Sequence, residues 1–135
     1  MAQQQYVWFD GKFQKSQDAK VHVLTHSLQY GSGVFEGIRC YETKDNAAIF
    51  RLNDHVDRLF KSAHVYRIPL EFTKNQVEDA IIDLVKKNKL KTAYIRPFAF
   101  YNDQQIGLDV TGKKTSIAIA AVPFGNYFAN KDAGI

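Results

Sequence analysis

The stretch that most constrains the fold is His26–Tyr41, HSLQYGSGVFEGIRCY, which has neither the apolar stripe of a helix nor the polarity of a linker. Gly31 and Gly33, with Ser32 between them, mark a tight turn where the backbone must bend or approach a neighbour closely. Val34–Tyr41 then runs as a β-branched and aromatic strand. Strand alternation puts Phe35, Gly37 and Arg39 on one face and Val34, Glu36, Ile38 and Cys40 on the other. A turn feeding a core strand accounts for these residues. So does one wall of a binding site, and the residues alone leave both readings open.

The rest of the chain supplies elements around that stretch. Asp10-Gly11 between Tyr6–Phe9 and Lys12-Phe13 predicts a hairpin. Val21–Leu24 is a short strand candidate, and Ala47–Phe50 is another, after a polar turn at Glu42–Asn46. From Leu52 the period changes: Leu52, Val56, Leu59, Phe60, Ala63 and Tyr66 recur at spacings of three and four, which predicts a helix. His55, Arg58 and Ser62 form a polar stripe beside it, ordinarily a solvated face. Thr73–Gln76 is a capping box, opening a second helix with Val77, Ala80, Ile81, Leu84 and Val85 on its apolar side.

Thr92–Tyr101 returns to strand alternation, with Tyr94, Arg96, Phe98 and Phe100 facing one way and Ala93, Ile95, Pro97 and Ala99 the other. Pro97 predicts an edge strand or a bulge, since it has no N–H to give a neighbouring strand. Arg96 lies between aromatics. Either its stem packs on the rings while its head reaches water, or it recognises an anion in an apolar pocket. Asn102–Lys114 is a polar, glycine-containing loop, and Thr115–Val122 is a small-residue apolar strand of the kind found centrally in a sheet.

Composition excludes several classes. A chain of 135 residues makes about one domain, and its 45% hydrophobic and 24% charged residues are those of a soluble globular protein. No apolar run approaches the roughly 18 residues of a membrane span, and Met1–Phe9 lacks the basic start and apolar core of a signal peptide. The single Cys40 can form no internal disulfide, which fits a reducing cytoplasm and a small buried hydrophobe. A net charge of +4 raises nucleic acid as a partner. The lysines are scattered, however, and the dense run Lys86–Lys91 falls where a helix ends and cations complement its dipole.

YGSGVFEGIRCY resembles the segment near the N-terminus of branched-chain amino acid aminotransferases, fold-type IV pyridoxal 5'-phosphate enzymes. FRLNDHVDRLFKSA at Phe50–Ala63, AYIRPFAF at Ala93–Phe100 and AAVPFGNYF at Ala120–Phe128 match further pieces in family order, so the resemblance spans essentially the whole chain. It implies an α+β fold, an antiparallel sheet packed with two main helices, over residues 1–128, with 129–135 starting an interdomain linker. It implies that Arg58 binds the cofactor phosphate, as a guanidinium fork suits a phosphate dianion. Tyr94 and Arg96 would line the substrate pocket, Arg96 meeting the distal carboxylate of glutamate or 2-oxoglutarate. Tyr30, Phe35 and Tyr127 would join them, as would Phe124, where many relatives carry tryptophan. Leu108 would reach a neighbouring subunit's site in a homodimer or larger homo-oligomer, with branched-chain amino acids as substrates.

Amino transfer also needs a lysine that bonds to the cofactor aldehyde and moves a proton. In the resembled family that lysine lies beyond the point matching Ile135, and neither Lys91 nor Lys131 stands in its motif. The expectation is therefore an N-terminal domain that catalyses nothing alone. A D-amino acid aminotransferase or aminodeoxychorismate lyase would share the DRLFKSA-like helix, while VFEGIR and YIR favour the branched-chain group. A non-catalytic anion-binding or dimerising module is the alternative of a different class.

Overall fold

The computed structural model describes residues 6–125. The hairpin forms as β1 (Tyr6–Phe9) and β2 (Lys12–Lys15) around Asp10 and Gly11, both at positive φ (44° and 91°), as a tight two-residue turn demands. The Asp10 carboxylate locks the turn to the sheet by accepting the Ile117 N–H at 2.9 Å and the Ser116 hydroxyl at 2.7 Å. A short helix α1 (His26–Tyr30) follows, closed by Gly31 in the left-handed conformation at φ 64°. Then come β3 (Gly33–Phe35), β4 (Ile38–Glu42), β5 (Ala47–Ile49), helices α2 (Leu52–Val65) and α3 (Lys74–Lys87), and strands β6 (Ala93–Tyr101) and β7 (Thr115–Pro123).

The strands make one antiparallel sheet in the order β2-β1-β7-β6-β4-β5, with β3 also paired to β6. Its two faces differ. One carries Trp8, Val34, Ile38, Cys40, Ala93, Ile95, Ala99, Ile117, Ile119 and Ala121, which join Val56, Leu59 and Ala63 of α2 and Val77, Ala80, Ile81, Leu84 and Val85 of α3 in the core. That is the α+β architecture expected. The capping box is present in full, Thr73 Oγ1 accepting the Gln76 N–H and the Gln76 side chain accepting the Thr73 N–H. At the other end of α3, Asn88 bonds both the N–H and the C=O of Tyr6, and the Lys87 ammonium sits 4.4 Å from the Tyr6 ring centre. Cys40 is fully buried, as its small apolar character suggests.

Four expectations change. Val21–Leu24 is no strand: the His22 ring accepts the Leu24 N–H at 3.0 Å, a turn that an extended chain cannot make. His26–Tyr30 is helical, but five residues are too few to show a period. Tyr66 lies past the last turn of α2 and is 64% exposed, so the apolar stripe ends at Ala63. Pro97 is fully buried in a central strand, with β7 on one side and β3 and β4 on the other.

The missing proline donor instead shows up in the strand opposite. Phe35 faces Phe98 and Ile38 faces Ile95, so β3 and β4 keep one register against β6, which sets Glu36 opposite Pro97. The Glu36 N–H reaches the Pro97 C=O at 3.0 Å, but the reciprocal bond of an antiparallel pair has no donor. Val34–Tyr41 is thus one strand in course and two in hydrogen bonding.

The capping box supplies a stability test. Replacing Thr73 by alanine should lower the unfolding free energy by about 1 kcal/mol in urea, with an unchanged denaturant slope.

Candidate functional site

The sheet face opposite the helices carries Tyr94, Arg96, Phe98 and Phe100 from β6, Phe35 and Arg39 from β3 and β4, and Phe9 from β1. Residues 16–21 and α1 rim it, leaving a concavity of about 620 Å³ lined by Phe9, Leu28, Phe35, Arg96, Phe98 and Phe100, among others. The Arg96 guanidinium lies 4.2 Å from the Phe35 ring centre and donates to the Tyr94 hydroxyl at 2.7 Å. Its two π contacts and this bond together fix its direction. Among the described residues its buried Nε has no hydrogen-bond partner.

Tyr94 is close enough to serve Arg96 because residue 37 is glycine. A Cβ there would fall 2.5 Å from the Tyr94 hydroxyl oxygen. Tyr94 also packs against Phe124 with ring centres 5.6 Å apart, and the Arg39 guanidinium lies 4.3 Å from the Phe124 centre. Phe35, Arg96, Tyr94, Phe124 and Arg39 therefore form a continuous row of three rings and two cations. Arg39 and Gly37 are absent from the expected site, although they share the strand face of Phe35.

Arg58 lies on the other side of the strand. Its Nε and Nη2 donate to the two oxygens of Glu36 at 2.5 and 2.8 Å, and His55 Nδ1 donates to Glu36 Oε2 at 2.9 Å. Glu36 is only 4% exposed, whereas the Arg58 side chain is 66% exposed, so the guanidinium keeps an outward edge. The polar stripe of α2 is thus no plain solvated face. His55 and Arg58 answer a buried carboxylate that helical spacing alone could not reveal.

The Arg58 hydrogen bond holds the Glu36 carboxyl below its ordinary 4.5; burial pushes it up, and the His55 hydrogen bond adds to the lowering.

The remaining candidates stand apart from the row. Tyr30 ends α1 with its ring 4.6 Å from that of His26, and Leu108 is 81% exposed on the loop before β7. Tyr127 lies outside the described residues. His26 links α1 to the loop that carries Leu108. Its Nε2 must donate to the Gly107 C=O at 2.8 Å, its Nδ1 meets the Ser32 hydroxyl at 2.7 Å, and its backbone N–H donates to the Asp103 C=O.

Comparison with known proteins places this geometry. The profile of the family described as amino-transferase class IV matches residues 33–134. A branched-chain-amino-acid aminotransferase of Pseudomonas aeruginosa is 43% identical over 125 residues, covering 93% of this chain and 41% of the relative. The crystal structure of a branched-chain aminotransferase from Thermoproteus uzoniensis with norvaline superimposes with a TM-score of 0.88 at 45% identity, over 92% of this chain and 42% of that one. The T.th. branched-chain amino acid aminotransferase, complexed with N-(5'-phosphopyridoxyl)-L-glutamate, gives 0.85 at 38% identity, over 88% and 40%. The chain therefore spans about two-fifths of the length of the relatives it matches.

Two outcomes follow from the contacts. Gly37→Ala should force Tyr94 away and break its bond to Arg96, seen as a displaced Tyr94 ring in a crystal structure of the variant. Because the folded Glu36 carboxyl titrates below its unfolded value, its contribution is present above the ordinary glutamate range and is lost as pH falls through the lower folded value. Glu36→Gln should cost about 2 kcal/mol at pH 7, and the gap to the native chain should close on acidification in parallel urea titrations.

Proposed function

The chain belongs to the class IV aminotransferases, and on that premise we propose that it is the N-terminal, substrate-recognising domain of a branched-chain amino acid aminotransferase. The intact protein would move an amino group reversibly between leucine, isoleucine or valine and 2-oxoglutarate. The observation that carries this reading is Arg96, held by the Tyr94 hydroxyl and the Phe35 ring in a largely apolar concavity. Such a pocket must take a branched apolar side chain in one half of the reaction and a carboxylate in the other. The rings serve the first. A carboxylate cannot be buried unpaired, and one arginine at the wall answers it.

Pyridoxal 5'-phosphate, when bound, supplies the electron sink for amino transfer. The residues present fit its phosphate: Arg58 is exposed, permanently charged and paired along one edge alone. The T.th. relative was crystallised with a phosphopyridoxyl-glutamate compound, which joins the two ligand types that Arg58 and Arg96 would meet. Arg58 would bind and orient the phosphate. Arg96 and Tyr94 would orient the distal carboxylate, and Phe35 and Phe124 would exclude water from the side-chain pocket.

The exposed apolar residues Leu28, Phe35, Ile106 and Leu108 support burial of this face against a second domain and a partner subunit. Leu108, which stands apart from the row, would then serve the partner's site in a homodimer or larger homo-oligomer, and Tyr30 would join the substrate pocket. Tyr127 remains part of the proposed pocket.

Arg96→Met in the full-length protein separates the two roles of the pocket. It keeps much of the stem volume and removes the charge. Loss of the paired charge costs about 2–5 kcal/mol, so the glutamate half-reaction should slow by orders of magnitude while the leucine half-reaction changes far less. Single-turnover absorbance measures each half alone. An equal fall in both would show that Arg96 supports the fold or the α-carboxylate, and would overturn the assignment.

A further inference from the structure

Arg58 is a long, exposed arm on a helix, and an arm of that kind ordinarily samples many rotamers. Here one feature removes that freedom. The Nε and Nη2 edge of the guanidinium is taken by both oxygens of Glu36, which is itself fixed three ways. Its side chain is buried between β3, β4 and α2, His55 donates to one of its oxygens, and its backbone N–H is bonded to Pro97. What Arg58 can still offer is its end edge, Nη1 with the outer N–H of Nη2.

We propose that Glu36 is a positioning residue for cofactor binding: by gripping one edge of the Arg58 guanidinium it presents the other edge, already oriented, to the phosphate, with His55 bracing the carboxylate. This rests on the reading of Arg58 as the phosphate-binding group. A buried carboxylate beside a phosphate would repel it if left unpaired. Bonded bidentately to the arginine, it gives up part of the cation's charge and receives a fixed direction in exchange. The geometry favours pre-organisation over raw attraction.

The test uses the apo form of the full-length protein and two probes, pyridoxamine 5'-phosphate and pyridoxamine, which differ only in the phosphate. Glu36→Gln should weaken pyridoxamine 5'-phosphate about tenfold, leave pyridoxamine unchanged, and cause no further loss when combined with Arg58→Ala, where it removes a carboxylate left unpaired. Equal weakening of both probes, no weakening of either, or a further loss in the Arg58→Ala background would overturn the proposal. Arg58→Lys keeps a charge to answer Glu36 but cannot be gripped along an edge. It should lose about tenfold for the phosphate probe alone, and native-like binding would count against an oriented fork. Arg58→Ala by itself isolates the premise. If that variant keeps the native preference for the phosphorylated probe, Arg58 is not the phosphate group. If it loses the preference while Glu36→Gln does not, only the role of Glu36 falls.

Discussion

A carboxylate cannot be buried between a sheet and a helix unless its charge is answered, and the arrangement of this domain follows from how Glu36 is answered. Arg58 and His55 reach it from α2, three residues apart and so on one helix face. Their reach acts on the rotation of α2 about its own axis alongside the apolar contacts of Val56 and Leu59. Removing one partner would leave a buried carboxylate with its charge only partly answered. The polar contact and the apolar core therefore select the same docking of the helix.

Pro97 marks the point on β6 from which both faces of the sheet are organised. Opposite it, Glu36 looks toward the helices and Gly37 toward the open face, as successive strand residues must. Glu36 organises Arg58 below the sheet, and Gly37 makes room for Tyr94, which organises Arg96 above it. Two adjacent residues thus support the two cations, one on each face. The proline withholds a ladder hydrogen bond at that point, the gap between β3 and β4.

Much of this was legible in the sequence because it depends on local period. The apolar faces of α2 and α3, the capping box and the central position of β7 follow from spacing and side-chain chemistry. Phe35, Tyr94, Arg96 and Phe124 come together on one face as alternation and family resemblance imply. What escaped depends on partners distant in the chain. Pro97 looks like an edge residue until its silent side is seen to meet Glu36. Gly37 looks like strand filler until the Tyr94 hydroxyl is found against it. Val21–Leu24 has strand-forming residues, yet a histidine ring captures the N–H that a sheet would have used.

His26 ties together segments far apart in sequence. It is 2% exposed, and it holds the start of α1, the glycine turn at Ser32 and the loop at Asp103 and Gly107 through the atoms of one residue. Loops usually open independently of the elements around them, at little free-energy cost. Here the loop carrying Leu108 cannot lift without uncovering a buried ring and freeing the helix that carries Tyr30. The loop and α1 are tied into one cooperative unit, so amide protection in the loop should follow the stability of α1 more than the loop's own contacts.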